Sequence, residues 1–475
     1  MSFLLAKLLA VLLILLVSFT TFCLSQNVIE YLPGFPGKLP FKLETGYIGV
    51  GEEEEVQLFY YFIESENNPE NDPLMLWHTG GPGCGCLSGI TNNIGHLIID
   101  RANSNGSLPT LMLNKHAWTK VVNMIFLDQP AGTGFSYAKT SKAYYTNDTL
   151  SASFNYDFLR KWLINHPKYI ENPLYIGGDS YSGIIVPLII NEVYNGIEAG
   201  SKPLLNMKGF ILGNPYTDNY IDINGRIPYA HRMGLLSDTL YESAKVNCRG
   251  DYMSVDLESV LCLSDLERIN QCLDKINLDH ILEPWCQSLL KGKQDVLSWQ
   301  NPSYDQENPR NYLQSVVAPL VKCHNFLYLP CQTWANDKFV QKALHIREDT
   351  LTKWVRCNKT IQHGMPYTKN VQSTVNYHQD FIPKSCRALI YSGDHDMRVP
   401  HTSTEKWIES LKLPILSEWR PWFVDSQIAG YTMTYRYIDY ELTYATVKGG
   451  GHVAPEYKPK EFLAMISRWF EQSSL

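Results

Sequence analysis

The sequence predicts an α/β fold with a central, mixed but mostly parallel sheet flanked by helices. Short apolar runs at 73–77, 121–127, 174–176, 209–212 and 387–391 predict strands, and the apolar run at 184–190 predicts a helix behind one of them. Strands that alternate with helices along a chain are typical of parallel sheets. With 475 residues and 44% hydrophobic content, the chain has enough material for one large domain with an insertion.

Residues 174–183 read Leu-Tyr-Ile-Gly-Gly-Asp-Ser-Tyr-Ser-Gly, which places Ser180 on the turn between a predicted strand and a predicted helix. Such an abrupt turn strains its central residue, lifts the hydroxyl clear of its neighbours and directs the helix N-terminus towards the group that is attacked. Ser180 is therefore a candidate nucleophile. An ordinary glycine-rich turn is the alternative interpretation of this segment taken alone.

Two further predicted strands end in residues that complete a catalytic set. Residues 387–396 run into Ser-Gly-Asp-His-Asp, and residues 445–452 end in Gly-Gly-Gly-His. The chain order serine, aspartate, histidine, with each residue just beyond a strand, is the order of the triad in an α/β-hydrolase fold. Most of the 13 histidines are expected to be structural or superficial, but three glycines before His452 free the backbone to place one ring.

A glycine-rich loop, Thr-Gly-Gly-Pro-Gly-Cys at 79–84, follows the strand predicted at 73–77. Its backbone N–H groups are open to bind an oxyanion, together with the N–H of the residue after the nucleophile. We expect Gly81 and Tyr181 to be these donors. A phosphate-binding loop is the competing interpretation, but no Gly-Lys-Ser/Thr follows.

Together these motifs resemble the serine carboxypeptidase family, and specifically plant serine carboxypeptidase-like proteins. The shared motifs are Trp-x-x-Gly-Gly-Pro-Gly-Cys, Gly-Asp-Ser-Tyr-Ser-Gly, Ser-Gly-Asp-x-Asp and Gly-Gly-Gly-His-x-Ala-Pro-Glu-Tyr-Lys-Pro, and the similarity extends from residue 32 to the C-terminal helix. The resemblance implies a triad of Ser180, Asp396 and His452, with Asp394 structural. It also implies that residues 27–475 form one α/β-hydrolase domain.

Substitutions at the substrate site distinguish this chain from the family's peptidases. Peptidases usually carry Asn two residues before the oxyanion glycine and Glu directly before the serine, and here these positions hold Thr79 and Asp179. We place Asn93 at the position of a further family acid. Two carboxyl groups that share a proton bind a peptide's carboxylate at acid pH, and losing one partner removes that device. The resemblance to glucose-ester-dependent acyltransferases implies that Thr79, Gly80 and Asp179 bind the donor's hydroxyls.

The sequence therefore predicts an enzyme that transfers an acyl group from a glucose ester to an alcohol or amine through an acyl-enzyme. A serine-type carboxypeptidase that tolerates the substitutions is the first alternative, and a catalytically silent binding protein on the same fold is the second. A small acyl ester or a peptide is the expected substrate. The net charge of -7 gives no reason to expect nucleic acid, and no motif implies a metal or another cofactor.

Residues 1–26 predict a secretory signal peptide, because Lys7 precedes an apolar run that is short and N-terminal. A retained signal anchor is the alternative. We expect no membrane span after signal removal, and a secreted or vacuolar location. In that pathway the sequons at Asn105, Asn147 and Asn358 are expected glycosylation sites.

Eleven cysteines in a chain with a predicted signal suggest disulfides. The family resemblance implies the pairs Cys84–Cys357, Cys248–Cys262 and Cys286–Cys323. Cys23 is expected to leave with the signal, and four cysteines stay unassigned: Cys86, Cys272, Cys331 and Cys386.

Three other segments carry predictions about architecture. Residues 46–50 and 56–62 predict a β-hairpin around the acidic run at 52–55. Phe154, Phe158 and Trp162 recur at helical spacing and predict a core face. Regular alternation is lost at about 220–335, which predicts a helical cap that is inserted between core strands, folds over Ser180 and sets substrate choice.

Overall fold

A computed structural model describes residues 27–100, 108–285, 328–350 and 353–475. Its strands are β1 (Asn27–Ile29), β2 (Leu43–Val50), β3 (Val56–Ile63), β4 (Leu74–His78), β5 (Leu97–Asp100), β6 (Thr110–Leu113), β7 (Asn123–Leu127), β8 (Tyr137–Ala138), β9 (Thr146–Asn147), β10 (Leu174–Asp179), β11 (Met207–Gly213), β12 (Tyr367–Thr368), β13 (Arg387–Gly393), β14 (Ile415–Val424), β15 (Gln427–Tyr437) and β16 (Tyr440–Val447). The helices are α1 (Asp148–Asn165), α2 (Ser182–Glu198), α3 (Asn219–Asn224), α4 (Arg226–Arg232), α5 (Asp238–Asn247), α6 (Val260–Leu273), α7 (Leu329–Ala335), α8 (Lys338–Ala343), α9 (Lys359–His363), α10 (Val375–Phe381), α11 (His401–Ser410), α12 (Ala454–Tyr457) and α13 (Pro459–Phe470).

The main sheet has the strand order β1-β2-β3-β7-β4-β10-β11-β13-β16-β15-β14, with β8 beside β3. The six neighbours from β7 to β16 run parallel to one another. The strands on either side are antiparallel. This mixed, mostly parallel sheet between helices confirms the predicted α/β-hydrolase fold. In such a sheet the carboxyl ends of the parallel strands meet along one edge, where ligands usually bind.

Burial of both sheet faces explains why the central strands read as continuous apolar runs. All five residues of β4 are buried. Leu74 and Leu76 pack into the core that contains α1 and α2. Met75 and Trp77 pack into the opposite core, which contains α13. This alternation follows from the period of two along a strand.

The hairpin prediction is confirmed, because β2 and β3 pair antiparallel around the acidic turn, with Val50 opposite Val56. Phe158 and Trp162 of α1 are buried in the core, and Phe154 packs against it. Between β11 and β13 the described chain is mainly helical. Part of this region has a small apolar core of its own, which includes Tyr229 and reaches Met397. The extent of the cap, about 220–335, stays a prediction.

The structure joins Cys84 to Cys357 and Cys248 to Cys262. Cys86, Cys272, Cys331 and Cys386 carry free thiols. The third predicted pair, the sequon at Asn105 and the predicted signal at 1–26 lie outside the described residues. In the part of the chain that is described, no helix has the length and apolar character to span a membrane.

Candidate active site

Ser180 occupies the turn between β10 and α2 with a backbone φ of 57°. This left-handed conformation is costly for a residue with a side chain, and it persists only where the surroundings enforce it. Three backbone hydrogen bonds do so. Ser180 N donates to Gly213 O over 2.9 Å, and Ser180 O accepts from Gly183 N at 3.0 Å and from Tyr216 N at 2.8 Å. The strained residue is thus the candidate nucleophile itself, as the sequence pattern indicates.

Ser180, His452 and Asp396 form a continuous hydrogen-bonded chain. His452 Nδ1 lies 2.7 Å from Asp396 Oδ2, and His452 Nε2 lies 2.8 Å from Ser180 Oγ. With the Nδ1 proton donated to the carboxylate, Nε2 accepts from the hydroxyl. The three residues follow the parallel strands β10, β13 and β16, so the sheet itself brings distant parts of the chain together. The arrangement has the geometry of a nucleophile, a base and a carboxylate that orients the base.

Asp396 is fully buried, and both oxygens of its carboxylate accept hydrogen bonds. Its Oδ1 accepts from Arg398 N at 2.7 Å and from Val399 N at 3.2 Å, while Oδ2 accepts from Asn214 Nδ2 at 2.8 Å as well as from His452. These donors fix the orientation of the carboxylate. The sequence analysis gave Asn214 no role. Asn214 lies immediately after β11, which pairs with the nucleophile's strand β10. This position at the end of a neighbouring strand is the sequence feature that could have identified it.

Opposing effects act on the charge of His452. Burial disfavours the imidazolium, but the carboxylate of Asp396, its hydrogen bond to the ring, and the carboxylate of Asp279 outweigh burial. The pKa of His452 is therefore raised above its ordinary value, although Arg398 opposes the rise. An imidazole that readily accepts a proton suits a general base.

The loop after β4 packs directly on the nucleophile turn. A Cβ added at Gly80 would lie 2.7 Å from Ser180 Cβ and 2.8 Å from Tyr181 N, so only glycine fits. Gly81 has a φ of 123°. The Cys84–Cys357 disulfide and a hydrogen bond from Gly85 N to Arg356 O at 2.8 Å fasten this loop from behind. Gly81 and Tyr181 thus lie on two segments that meet at Ser180.

Asp179 accepts a hydrogen bond from Gly80 N at 2.9 Å. Burial raises its pKa despite this bond and the nearby charge of His452. The Thr79 hydroxyl donates to Cys86 Sγ at 3.5 Å, so Thr79 also ties the loop to the chain behind it. The roles of Thr79, Gly80 and Asp179 in substrate binding stay predictions.

A polar cluster borders the side of the site next to Asp179. The Arg356 guanidinium lies 3.6 Å from the centre of the Tyr328 ring, and Tyr328 OH donates to Glu456 at 2.6 and 2.8 Å. The side-chain amide of Asn93 directs its nitrogen to Glu456. Arg356 interacts electrostatically with Glu456, Asp279 and Asp179. No sequence pattern predicted this cluster, although Glu456 belongs to the same motif as His452.

Aromatic rings follow the nucleophile in the chain. The Tyr181 and Tyr216 rings stack with centroids 6.2 Å apart. Tyr181 OH donates to the buried Asp148 at 2.8 Å, and Lys369 Nζ lies 5.4 Å from the Tyr181 ring centre. Among the described residues, no group of three or more His, Cys, Asp or Glu side chains is placed to hold a metal ion.

Comparison with known proteins shows the family to which the chain belongs. The model of the serine carboxypeptidase family matches residues 33–472, and the chain belongs to that family. It is 44% identical to serine carboxypeptidase-like 2 of Arabidopsis thaliana over 95% of this chain and 94% of the relative. Identity to serine carboxypeptidase-like 10 of the same plant is 45% over 95% of each chain. The chain is therefore an enzyme of the plant serine carboxypeptidase-like group, either an acyltransferase or a carboxypeptidase.

A solved structure shows the same fold at low sequence identity. The prohormone-processing carboxypeptidase Kex1(Δ)p of Saccharomyces cerevisiae superposes with a TM-score of 0.70 and 18% identity, covering 94% of this chain and 95% of that one. This likeness supports the fold alone.

Proposed function

We propose that the enzyme is an acyltransferase that uses a glucose ester as donor and an alcohol or amine as acceptor. His452 takes the Ser180 proton while Ser180 Oγ forms a bond to the donor's carbonyl carbon. The N–H groups of Gly81 and Tyr181 bind the oxyanion. The bond to glucose then breaks, and His452 returns the proton to the departing sugar oxygen. In the second half, His452 deprotonates the acceptor, which attacks the acyl carbon; the bond to Ser180 Oγ breaks, and His452 returns the proton to that oxygen.

The polar cluster beside Asp179 is the observation that carries this proposal. Among the described residues it contains the acids Asp179, Asp279 and Glu456 and the cation Arg356, and Arg398 joins it through its ion pair with Asp279. This excess of acceptors suits a neutral sugar, whose hydroxyls donate hydrogen bonds. Such a surface suits the anionic C-terminus of a peptide less well, because like charges repel.

The position of Asn93 strengthens the same argument. Its amide faces Glu456, and Asp179 is engaged by the Gly80 N–H. A proton shared between acids at positions 93 and 179 is therefore impossible in this chain. Arg356 favours the carboxypeptidase alternative, because a guanidinium pairs readily with a carboxylate.

Substrate assays decide between the two reactions. The purified enzyme is incubated with an acyl-glucose and candidate acceptors, and separately with N-blocked dipeptides at acid pH. We expect glucose and a new ester or amide from the first mixture and little amino acid from the second. Brisk release of C-terminal amino acids would overturn the proposal. If neither mixture reacts and a serine-directed phosphonate fails to label Ser180, the proposed role of Ser180 as nucleophile is wrong.

A matched double variant tests the role of the two substituted positions. Asn93→Glu combined with Asp179→Glu introduces an acid at position 93 and the glutamate of the family's peptidases at position 179, and Asn92→Glu is a control for charge on the neighbouring residue. We expect the double variant to hydrolyse dipeptides at acid pH faster, relative to acyl transfer, than either the parent enzyme or the control. An unchanged ratio would show that these positions do not select the leaving group.

We further propose that residues 1–26 direct the chain into the secretory pathway, to a secreted or vacuolar location, and that Asn147 and Asn358 carry glycans. Asn147 caps α1 through Oδ1, which accepts from Leu150 N at 2.8 Å. A glycan on its Nδ2 keeps that bond. Asn358 Nδ2 donates to Gly132 O at 3.0 Å, and a glycosylated amide retains one N–H for it. Loss of mass on treatment with an N-glycosidase, mapped by peptide analysis, tests both sites.

A further inference from the structure

A short segment that follows α6 contacts both loops on which the catalytic set depends. Leu278 O accepts from Arg398 N at 2.9 Å, two residues after Asp396. Asp279 O accepts from His452 N at 2.7 Å. Residues 278 and 279 therefore connect the loop of the carboxylate to the loop of the histidine by main-chain bonds.

The side chain of Asp279 adds a second connection. Its carboxylate forms an ion pair with Nε of Arg398, whose backbone N donates to Asp396 Oδ1 at 2.7 Å. The side chains of Asp279 and Arg398 are 34% and 43% exposed. The pair thus lies at the edge of the site, where either side chain can be changed without opening a packed core.

The two members of this pair act on His452 with opposite sign. The charged groups that face the imidazole are Asp396 and Asp279, which favour its protonated form, and Arg398, which disfavours it. Asp179 also interacts with the imidazole. Burial opposes ionisation of Asp279, but Arg398 outweighs burial and lowers the pKa of that carboxyl well below its usual range. Asp279 is consequently ionised wherever His452 titrates.

We infer that Asp279 is a positioning residue for His452. Its backbone oxygen holds the histidine's main chain, and its carboxylate neutralises Arg398, so that the imidazolium formed when Ser180 loses its proton is stabilised. Without Asp279, an uncompensated guanidinium would lie beside that imidazolium. The inference rests on the proposed triad, and it adds a second carboxylate, from a segment outside the sheet, to the catalytic arrangement.

The test measures the rate of Ser180 phosphonylation by a fluorophosphonate as a function of pH. His452 acts as base in its neutral form, so the midpoint of the acid limb reports the pKa of His452 in the free enzyme. In Asp279→Asn we expect the midpoint to fall by about 0.5 to 1 pH unit, and in Arg398→Gln we expect it to rise by about the same amount, because opposite charges were removed. The double variant should return close to the parent value.

Matched variants separate this effect from general changes of charge or fold. Asp274→Asn removes an exposed carboxylate at the end of α6 and should leave the midpoint unchanged, and Asp279→Glu should restore it. Midpoints that stay at the parent value in both single variants, or that move in the same direction, would overturn the inference. If the fluorophosphonate still labels the Ser180→Ala variant, the reacting nucleophile is another residue, and the proposed triad fails first, independently of Asp279.

Discussion

Replacing Asn214 with Ala should lower kcat by about 10- to 150-fold with little change in KM. Asn214 is fully buried. Its Nδ2 donates to Asp396 Oδ2 at 2.8 Å, and its Oδ1 accepts from Gly393 N at 3.2 Å. A hydrogen bond to a charged group contributes about 1.5 to 3 kcal/mol, and each 1.36 kcal/mol is tenfold in rate. The effect falls on kcat because Asn214 positions Asp396 and is itself fully buried, away from the surface that a substrate can reach.

Asn214→Gly is the matched control, because Asn214 has a φ of 43°, a backbone conformation that glycine adopts without strain. Both variants lose the side-chain hydrogen bonds, but only the alanine variant keeps a strained backbone. The assay is steady-state hydrolysis of an activated ester, together with the thermal midpoint of each variant. If the glycine variant retains the parent kcat, the hydrogen bond from Asn214 to Asp396 does not contribute to catalysis, and the prediction is wrong.

Two further predictions concern stability. Gly134→Ala should reduce the free energy of unfolding by about 3 kcal/mol, because its Cβ would lie 2.0 Å from Asp128 Oδ2 at a φ of 54°. Gly250→Ala, at a φ of 74° with open space around it, controls for the strain alone in urea unfolding, and equal losses would exclude the clash. Burial disfavours the charge of Glu64, but hydrogen bonds led by that from Lys168 lower its pKa to about 2. The stability that Glu64 contributes, about 1 kcal/mol, is therefore present above about pH 4.5 and lost as the pH falls towards 2, so the difference between the parent and Glu64→Gln should vanish in acid. A difference that is independent of pH would contradict this.

Sheet topology explains which parts of the site could be read from the sequence. Ser180, Asp396 and His452 each follow an apolar run, and strands of one parallel sheet present their carboxyl ends at a common edge. The order of the three residues along the chain therefore predicted their convergence. Asn214 satisfies the same rule, because it follows β11. Its amide does not titrate, so the residue type alone did not indicate a catalytic role.

The positions of the polar cluster and of Asp279 could not be predicted from the sequence, for a physical reason. Arg356 and Asp279 lie on irregular segments that have no register with the sheet. Their positions depend on the Cys84–Cys357 disulfide and on individual backbone hydrogen bonds. Neither periodicity nor spacing along the chain encodes such contacts.

The tight packing behind the oxyanion loop also emerged only from the structure. Cys86 N donates to Asp128 Oδ1 at 2.7 Å, and Cys86 Sγ lies 3.1 Å from Leu127 O. A Cβ at Gly85 would be 3.2 Å from Gly134 Cα. Small residues at 85 and 86 thus let two loops meet. Nothing in the structure explains the buried ring of His78.

The most direct measurement is the mass of the peptide that contains Ser180 after the enzyme is mixed with an acyl-glucose and quenched in acid within milliseconds. We predict that the mass of this peptide increases by the mass of the acyl group, attached to Ser180. The increase disappears when acceptor is added before quenching, and it never forms in Ser180→Ala. Glucose release with no adduct on Ser180, or with an adduct on another residue, would contradict it.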